Sequence, residues 1–370
     1  MTGAKDMAGI SFFFTAGAAA GLALYAFVAR PGSDPSSGYL LASASLILYL
    51  SALALISLSR RKTPARIFLL YSALGIFCAN ASEVSGLGLH SRETRFTAFA
   101  VTSADRVREL IDSIPFSSDD SAPLIKALLT GDKSGLDKQI IKSFRDSGAA
   151  HILALSGLHL GIIYMILLWA TSVLGSSPRA KIVRGTTIIV ISGYYTIATG
   201  AAPSLTRAFL FIVLNESAKL LHRKIPPLRV FCTALLIQTA CNPEVLRSVG
   251  FQLSYLAMAG IFILFPFLKV WFPAGGPKWN ISRKIWDAAA LTISCQIFTA
   301  PLVYLRFETL PKYFLLTNLL ALPVCELLMN VSVVAIILST LGVHPRVLIS
   351  VSDLLAEMML GILHVIASIP

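Results

Sequence analysis

The chain is poor in charge. Of its 370 residues only 14% are Asp, Glu, Lys or Arg, against roughly 25% in ordinary soluble domains. It is also poor in residues that build metal or disulfide frameworks. Its five cysteines (Cys78, Cys232, Cys241, Cys295 and Cys325) lie in apolar runs with no CxxC pair, and read as small buried hydrophobes. No HxHxDH, HExxH, GxSxG or GxxxxGK(S/T) pattern occurs, so metal hydrolysis, a nucleophile elbow and a P-loop have no support. What the chain has instead is apolar length: 55% of it is hydrophobic. Most of its mass belongs in a bilayer.

Spans need about 20 predominantly apolar residues. They are expected near 8–29, 39–58, 64–82, 151–174, 182–201, 205–221, 228–241, 248–268, 286–304, 313–341 and 346–369. The first could be mistaken for a signal peptide, with Lys5 ahead of it and alanines at 18–20, but its length favours an uncleaved anchor. The fold class is therefore an all-α polytopic membrane protein with about eleven transmembrane or re-entrant helices. Three divisions are expected: an N-terminal three-span segment at 1–82, a loop at 83–150 with amphipathic helices, and a membrane domain at 151–370. Residues 228–241 are short for a crossing and end at Asn242-Pro243, while 313–341 is expected to be broken around Asn318, Pro323 and Glu326. Irregular backbone at membrane depth survives only against protein or a water-filled cavity.

The net charge of +12 is a topology signal. Arg60, Arg61, Lys62, Arg66, Arg179, Lys181, Arg184, Arg223, Lys224, Arg229, Lys269, Lys278, Arg283 and Lys284 fall in alternate connections without a carboxylate. The intervening ones mix signs, as Arg30 with Asp34, Glu244 with Arg247, and Glu308 with Arg306 and Lys312. The positive-inside rule puts the N-terminus in the cytoplasm and the C-terminus outside. The loop from Val84 to Ala150, with as many carboxylates as cations, then lies outside. It holds a short amphipathic piece around Val107, Leu110, Ile111 and Ile114 and turns helical from Ser121. Ser134 and Asp137 resemble a capping box. Beyond them Leu136, Ile140, Ile141 and Phe144 form one face, and Lys138, Lys142 and Arg145 the other, up to a stop at Gly148. Such a helix would lie on the outer leaflet as an amphipathic interfacial helix in contact with lipid; packing on a small soluble domain is the alternative.

Polar groups inside apolar runs mark candidate function. His151, Ser156, Gly157 and His159 head the 151–174 run. On one helix the two histidines would stand roughly 12 Å apart, too far to share a metal without a break at Gly157. The four residues suit close helix packing, a pore or gate, or a Ser-His pair lacking an acid partner. Arg207 either snorkels to headgroups or sets a positive charge at the mouth of a path for a polyanion. Phe251, Gln252 and Ser254, followed by Tyr255, offer rings and hydrogen-bonding groups of the kind that meet single-stranded nucleic acid. Asp353, Glu357 and His364 share one helix face as a buried polar stripe. Its carboxylates are expected to pair with Arg207, Arg306 or a backbone site, and Glu326 with a buried partner.

The decapeptide His151-Ile152-Leu153-Ala154-Leu155-Ser156-Gly157-Leu158-His159-Leu160 resembles the signature of the ComEC competence family of DNA-uptake channels. Around it the resemblance takes in Leu128 to Ser134, Phe144 and Gly148, then Pro203 to Ala208, Asn242-Pro243, Gly250 to Tyr255, Gln296, Pro301 and Thr317 to Pro323. It covers about 120 to 330, the competence domain. It implies a bacterial inner-membrane channel that passes single-stranded DNA inward during natural transformation, with His151, Ser156, Gly157, His159, Arg207, Phe251, Gln252, Ser254 and Asn318 lining or gating the path. No enzyme activity, cofactor or metal is expected. The family's OB-fold and metallo-β-lactamase-like domains are expected to be lacking. A separate extracytoplasmic DNA receptor and nuclease, and a cytoplasmic ATPase or helicase, would then be partners. A secondary transporter of a small anionic solute, or a scaffold docking a nuclease or helicase, are the other readings.

Overall fold

The structure, a computed structural model, describes residues 2–28, 36–57, 64–85, 95–175, 177–272, 281–343 and 345–369. Among the described residues every regular element is a helix. In chain order these are α1 (Thr2–Val28), α2 (Ser36–Ser57), α3 (Pro64–Ser85), α4 (Arg95–Ser113), α5 (Ser121–Thr130), α6 (Lys138–Asp146), α7 (Gly157–Ala170), α8 (Pro178–Ala198), α9 (Pro203–Leu220), α10 (Pro227–Cys241), α11 (Val249–Ile263), α12 (Phe265–Val270), α13 (Ile281–Phe307), α14 (Phe314–Thr340) and α15 (Arg346–Ala367). Arg60, Arg61, Lys62, Lys278 and the Arg30–Asp34 pair lie outside the described residues.

By length and apolarity, seven described segments can cross a membrane: Asp6–Val28, Ile67–Val84, Gly157–Leu174, Val249–Val270, Ile281–Phe307, Phe314–Thr340 and Arg346–Ala367. Gly38–Ala54 and Pro227–Cys241 are shorter apolar helices. Two expected spans are helices interrupted by charge: α8 opens with Arg179, Lys181 and Arg184, and α9 carries Arg207, Glu216 and Lys219. The protein is a multi-pass, all-helical membrane protein.

The chain forms two compact units, one of residues 1–94 and 210–252, the other of 95–209 and 253–370. In the first, α1 packs along α3 through small residues. A Cβ on Gly17 would strike the Ser72 carbonyl, and one on Gly75 would strike the Phe14 carbonyl. Without a hydrophobic drive between helices in lipid, such close backbone approach is what holds them. Ser11 Oγ donates to the Cys232 carbonyl (2.7 Å), tying α1 to α10, and Arg247 meets Glu83 at 2.8 Å. The α10 helix ends at Cys241 before Asn242-Pro243, as expected.

The second unit has its core where α4, α5 and α6 meet α14 and α15. Ile111, Leu124, Leu128, Phe144, Leu328 and Met359 are fully buried there. This corrects the interfacial reading of α6: Phe144 is 0% exposed and Ile140 and Ile141 pack, half-buried, against the same core, so its apolar face is turned to protein. The α6 cap is Asp137, whose carboxylate accepts from the Gln139 N–H (3.2 Å), while Ser134 instead donates its N–H to Asp132. Gly148, at φ +83°, ends this helix as expected. A second correction concerns α14, which runs unbroken through Asn318, Pro323 and Glu326. Glu326 is exposed rather than buried. Cysteine burial also varies: Cys232 and Cys325 are buried, while Cys241 is exposed.

The α15 stripe needs a third correction. Asp353 is buried, but Glu357 and His364 are exposed. On a helix of 100° per residue, the buried positions Ile349, Ser352, Ala356, Met359, Leu363 and Ile366 centre about 90° from Asp353 on the side away from the other two. Three residues can share a face that is not the packed one. Asp353 sits at its margin and finds a backbone partner, the Ser117 N–H, at 2.8 Å.

Candidate functional site

The expected helix from His151 does not form. Residues 151–156 are irregular and α7 begins at Gly157, so the two histidines do not share a helix. His151 stands in the connection, exposed, its Nδ1 donating to the Gly148 carbonyl (3.1 Å). The start at Gly157 has a local cause. Ser156 is the N-cap, its Oγ accepting from the Leu158 N–H (3.2 Å), and its own N–H donates to His159 Nδ1 (3.2 Å). This is a reciprocal capping box with histidine in the place usually taken by Glu or Gln. A neutral ring that accepts at Nδ1 carries its proton on Nε2. His159 is 1% exposed, and Nε2 has no hydrogen-bond partner among the described residues.

Three helices meet at this cap. Ser204, in the first turn of α9, donates its Oγ to the Leu155 carbonyl (2.8 Å). Arg207, one turn further, comes so close that a Cβ on Gly157 would stand 3.5 Å from Nη2 and 3.4 Å from the Ala208 Cβ. An added methyl at 157 would sit in ordinary contact with α9, so the two helix starts are packed neighbours. Arg207 Nη1 donates to the Ser254 carbonyl in the second turn of α11, and its guanidinium lies 5.8 Å from the centre of the Tyr255 ring. Ser156, Gly157, His159, Arg207 and Ser254 are thus brought together.

The electrostatics of the cluster are one-sided. A helix N-terminus carries roughly half a positive charge, and here the starts of α7 and α9 flank a guanidinium. No carboxylate pairs with Arg207 among the described residues. Aligned positive groups without a counter-charge are unfavourable by themselves and are relieved by an anion.

Other expected site residues stand apart. Phe251 and Gln252 belong to the first unit, where Phe251 is buried and Gln252 Nε2 donates to the Leu246 carbonyl (2.6 Å). Asn318, in the second turn of α14, has a buried Oδ1 that accepts no hydrogen bond among the described residues. Sequence reasoning missed Ser204, which ties α9 to the α7 cap. It also missed Thr317, whose hydroxyl donates to the Ser147 carbonyl (2.6 Å) and fixes the start of α14 beside the end of α6. A Ser straight after a helix-opening Pro was the available signal for the first.

Residues 128–370 match the family described as Competence protein. Among curated proteins, the chain is 23% identical over 205 residues to ComE operon protein 3 of Bacillus subtilis, covering 55% of this chain and 25% of that one. It is 24% identical over 219 residues to Recombination protein 2 of Haemophilus influenzae (56% and 27%). With Competence protein ComA of Neisseria gonorrhoeae it shares 25% identity over 214 residues (55% and 28%). The matched part thus spans about a quarter of the length of these relatives. No solved structure matches the chain.

Proposed function

Because the chain belongs to the Competence protein family, we propose that it is an inner-membrane path through which single-stranded DNA enters the cytoplasm during natural transformation. The N-terminus is cytoplasmic and the C-terminus outside, by the distribution of Lys and Arg. An extracytoplasmic receptor and nuclease deliver the strand, and a cytoplasmic ATPase or helicase draws it in. The observation that carries this reading is the placement of Arg207 between the starts of α7 and α9 with no carboxylate beside it. Ser156, Gly157, His159 and Ser254 frame that positive mouth, with His151 on the approach and Asn318 further along the path. The protein passes the strand without catalysing a reaction on it. Supporting the topology, the starts of α7 and α9 lie together, and that of α14 is tied to the connection ahead of α7, as alternating crossings require.

Phosphates entering such a mouth meet donors that are already oriented. Losing one charge-assisted contact, about 1.5–3 kcal/mol, predicts a drop in passage of about tenfold or more. The test uses a deletion strain restored with wild type or Arg207→Gln at equal membrane abundance. Labelled double-stranded DNA is supplied, and nuclease-protected label is measured on each side of the inner membrane. Label stalled outside in the deletion and the variant supports the path. Equal internal label in all strains sinks it.

A second reading, a carrier for a small anion, draws on the closeness of Gly157 to Ala208 and Arg207. A strand needs an opening on the order of 10 Å, comparable to a helix diameter, whereas a small anion does not. Undiminished DNA entry in the deletion strain would favour that reading.

A further inference from the structure

The outer face of α6 carries Lys138, Lys142 and Arg145, all exposed. At 100° per residue they fall within about 60° of one another, a single stripe roughly 10 Å long. On the neighbouring helices α4 and α5, by contrast, Arg108 meets Asp105 (2.5 Å) and Asp132 (3.7 Å), and Lys126 meets Asp112 (2.6 Å). None of the three stripe residues has an ion pair or side-chain hydrogen bond among the described residues. The flanking carboxylates lie at the helix ends, Asp137 as the cap and Asp146 as the last residue.

Local stability does not account for this stripe. Like charges three and four residues apart weaken a helix, and Lys138 sits in the first turn, where the macrodipole disfavours a cation. Membrane-surface binding does not account for it either. An interfacial helix inserts its apolar face, and that face of α6 is spent on the protein core through Phe144, at 0% exposure. What fits a row of unpaired cations on a helix that cannot insert is a polyanion in solution. The chain leaves α6 at Gly148 and reaches the Ser156 cap within a few residues, which links the stripe to the positive mouth.

We propose that the Lys138–Lys142–Arg145 face of α6 is a docking site for the phosphate backbone of nucleic acid. The choice of nucleic acid among polyanions rests on the DNA-path reading; the stripe itself is independent of it. The contacts are to phosphate, so binding is indifferent to base sequence.

The test is binding of a fluorescent oligothymidylate to the full chain in zwitterionic nanodiscs, over a range of salt. Three lost phosphate contacts should make the slope of log K against log salt shallower by about 2, at about 0.7 per contact for a single strand. That change is expected for K138Q/K142Q/R145Q, whereas the charge-preserving K138R/K142R keeps the wild-type slope. A wild-type slope in the triple glutamine variant overturns the proposal. So does a variant whose only defect is weaker association with nanodiscs of anionic lipid, which would make the stripe a lipid contact. Arg207→Gln tested in the uptake experiment, beside the triple variant in the binding assay, separates the two readings. A path that fails leaves normal internalisation in Arg207→Gln cells, and a stripe that fails leaves the slope unchanged in the triple variant.

Discussion

Asp132 shows how a single polar residue steadies the segment ahead of the membrane. It follows the α5 stop at Gly131, and the Ser134 N–H donates to its Oδ1 at 3.0 Å. That bond, with a second from the Ser134 hydroxyl and the nearby charge of Arg108, holds its carboxyl below the usual range. A carboxyl lowered by folding contributes stability above its unfolded pKa and loses it as pH falls through the folded value. Thermal stability in detergent should therefore fall on acidification through the carboxylate range, and Asp132→Asn should flatten that fall. An identical pH profile in the variant would contradict the role. His159 illustrates the converse, a polar residue whose contribution is directional. Its Nδ1 completes the α7 cap, an arrangement worth about 1 kcal/mol in other helices, and its Nε2 is left over for something else.

At the scale of elements, the α1–α3 pair is the clearest case of shape deciding contact. Gly75 leaves room for the Phe14 carbonyl and the Ala18 nitrogen, the latter 2.7 Å from where a Cβ would stand. Gly75→Val should cost about 1–3 kcal/mol by overpacking, seen as a lower melting temperature. Gly361→Ala, with nothing within 4 Å of the added atom, should not. Equal effects would mean that glycine content matters rather than fit. The same scale shows what could be read from sequence. Apolar length marks the helices, and Gly148 and Asn242-Pro243 stop theirs where expected. The start of α7 was hidden because histidine replaces the usual Glu or Gln of a capping box inside an apolar run. Pro323 suggested a break because proline removes a donor, yet helix α14 passes through it. On α15, periodicity grouped Asp353 with Glu357 and His364 correctly but could not say which face would be packed.

On the scale of the whole molecule, composition alone indicated a polytopic membrane protein, and seven long apolar helices among the described residues bear that out. Membership in the Competence protein family covers residues 128–370, from the end of α5 onward. The convergence of Ser156, Gly157, His159, Arg207 and Ser254 could be suspected from intramembrane polarity, but not its electrostatic character. That depends on which helices begin together and on where carboxylates are missing.

The most direct measurement is photo-crosslinking to a strand in transit. A photoreactive residue would be placed at Gly161 on α7, where the structure leaves open space, at Ser254 on α11, or at Leu354, 55% exposed on α15. Cells taking up labelled DNA would then be irradiated. The account predicts label on the protein modified at 161 and at 254, and little at 354. Label at 354 alone, or none at any position while DNA still enters, would contradict a strand path framed by Arg207 and the α7 cap.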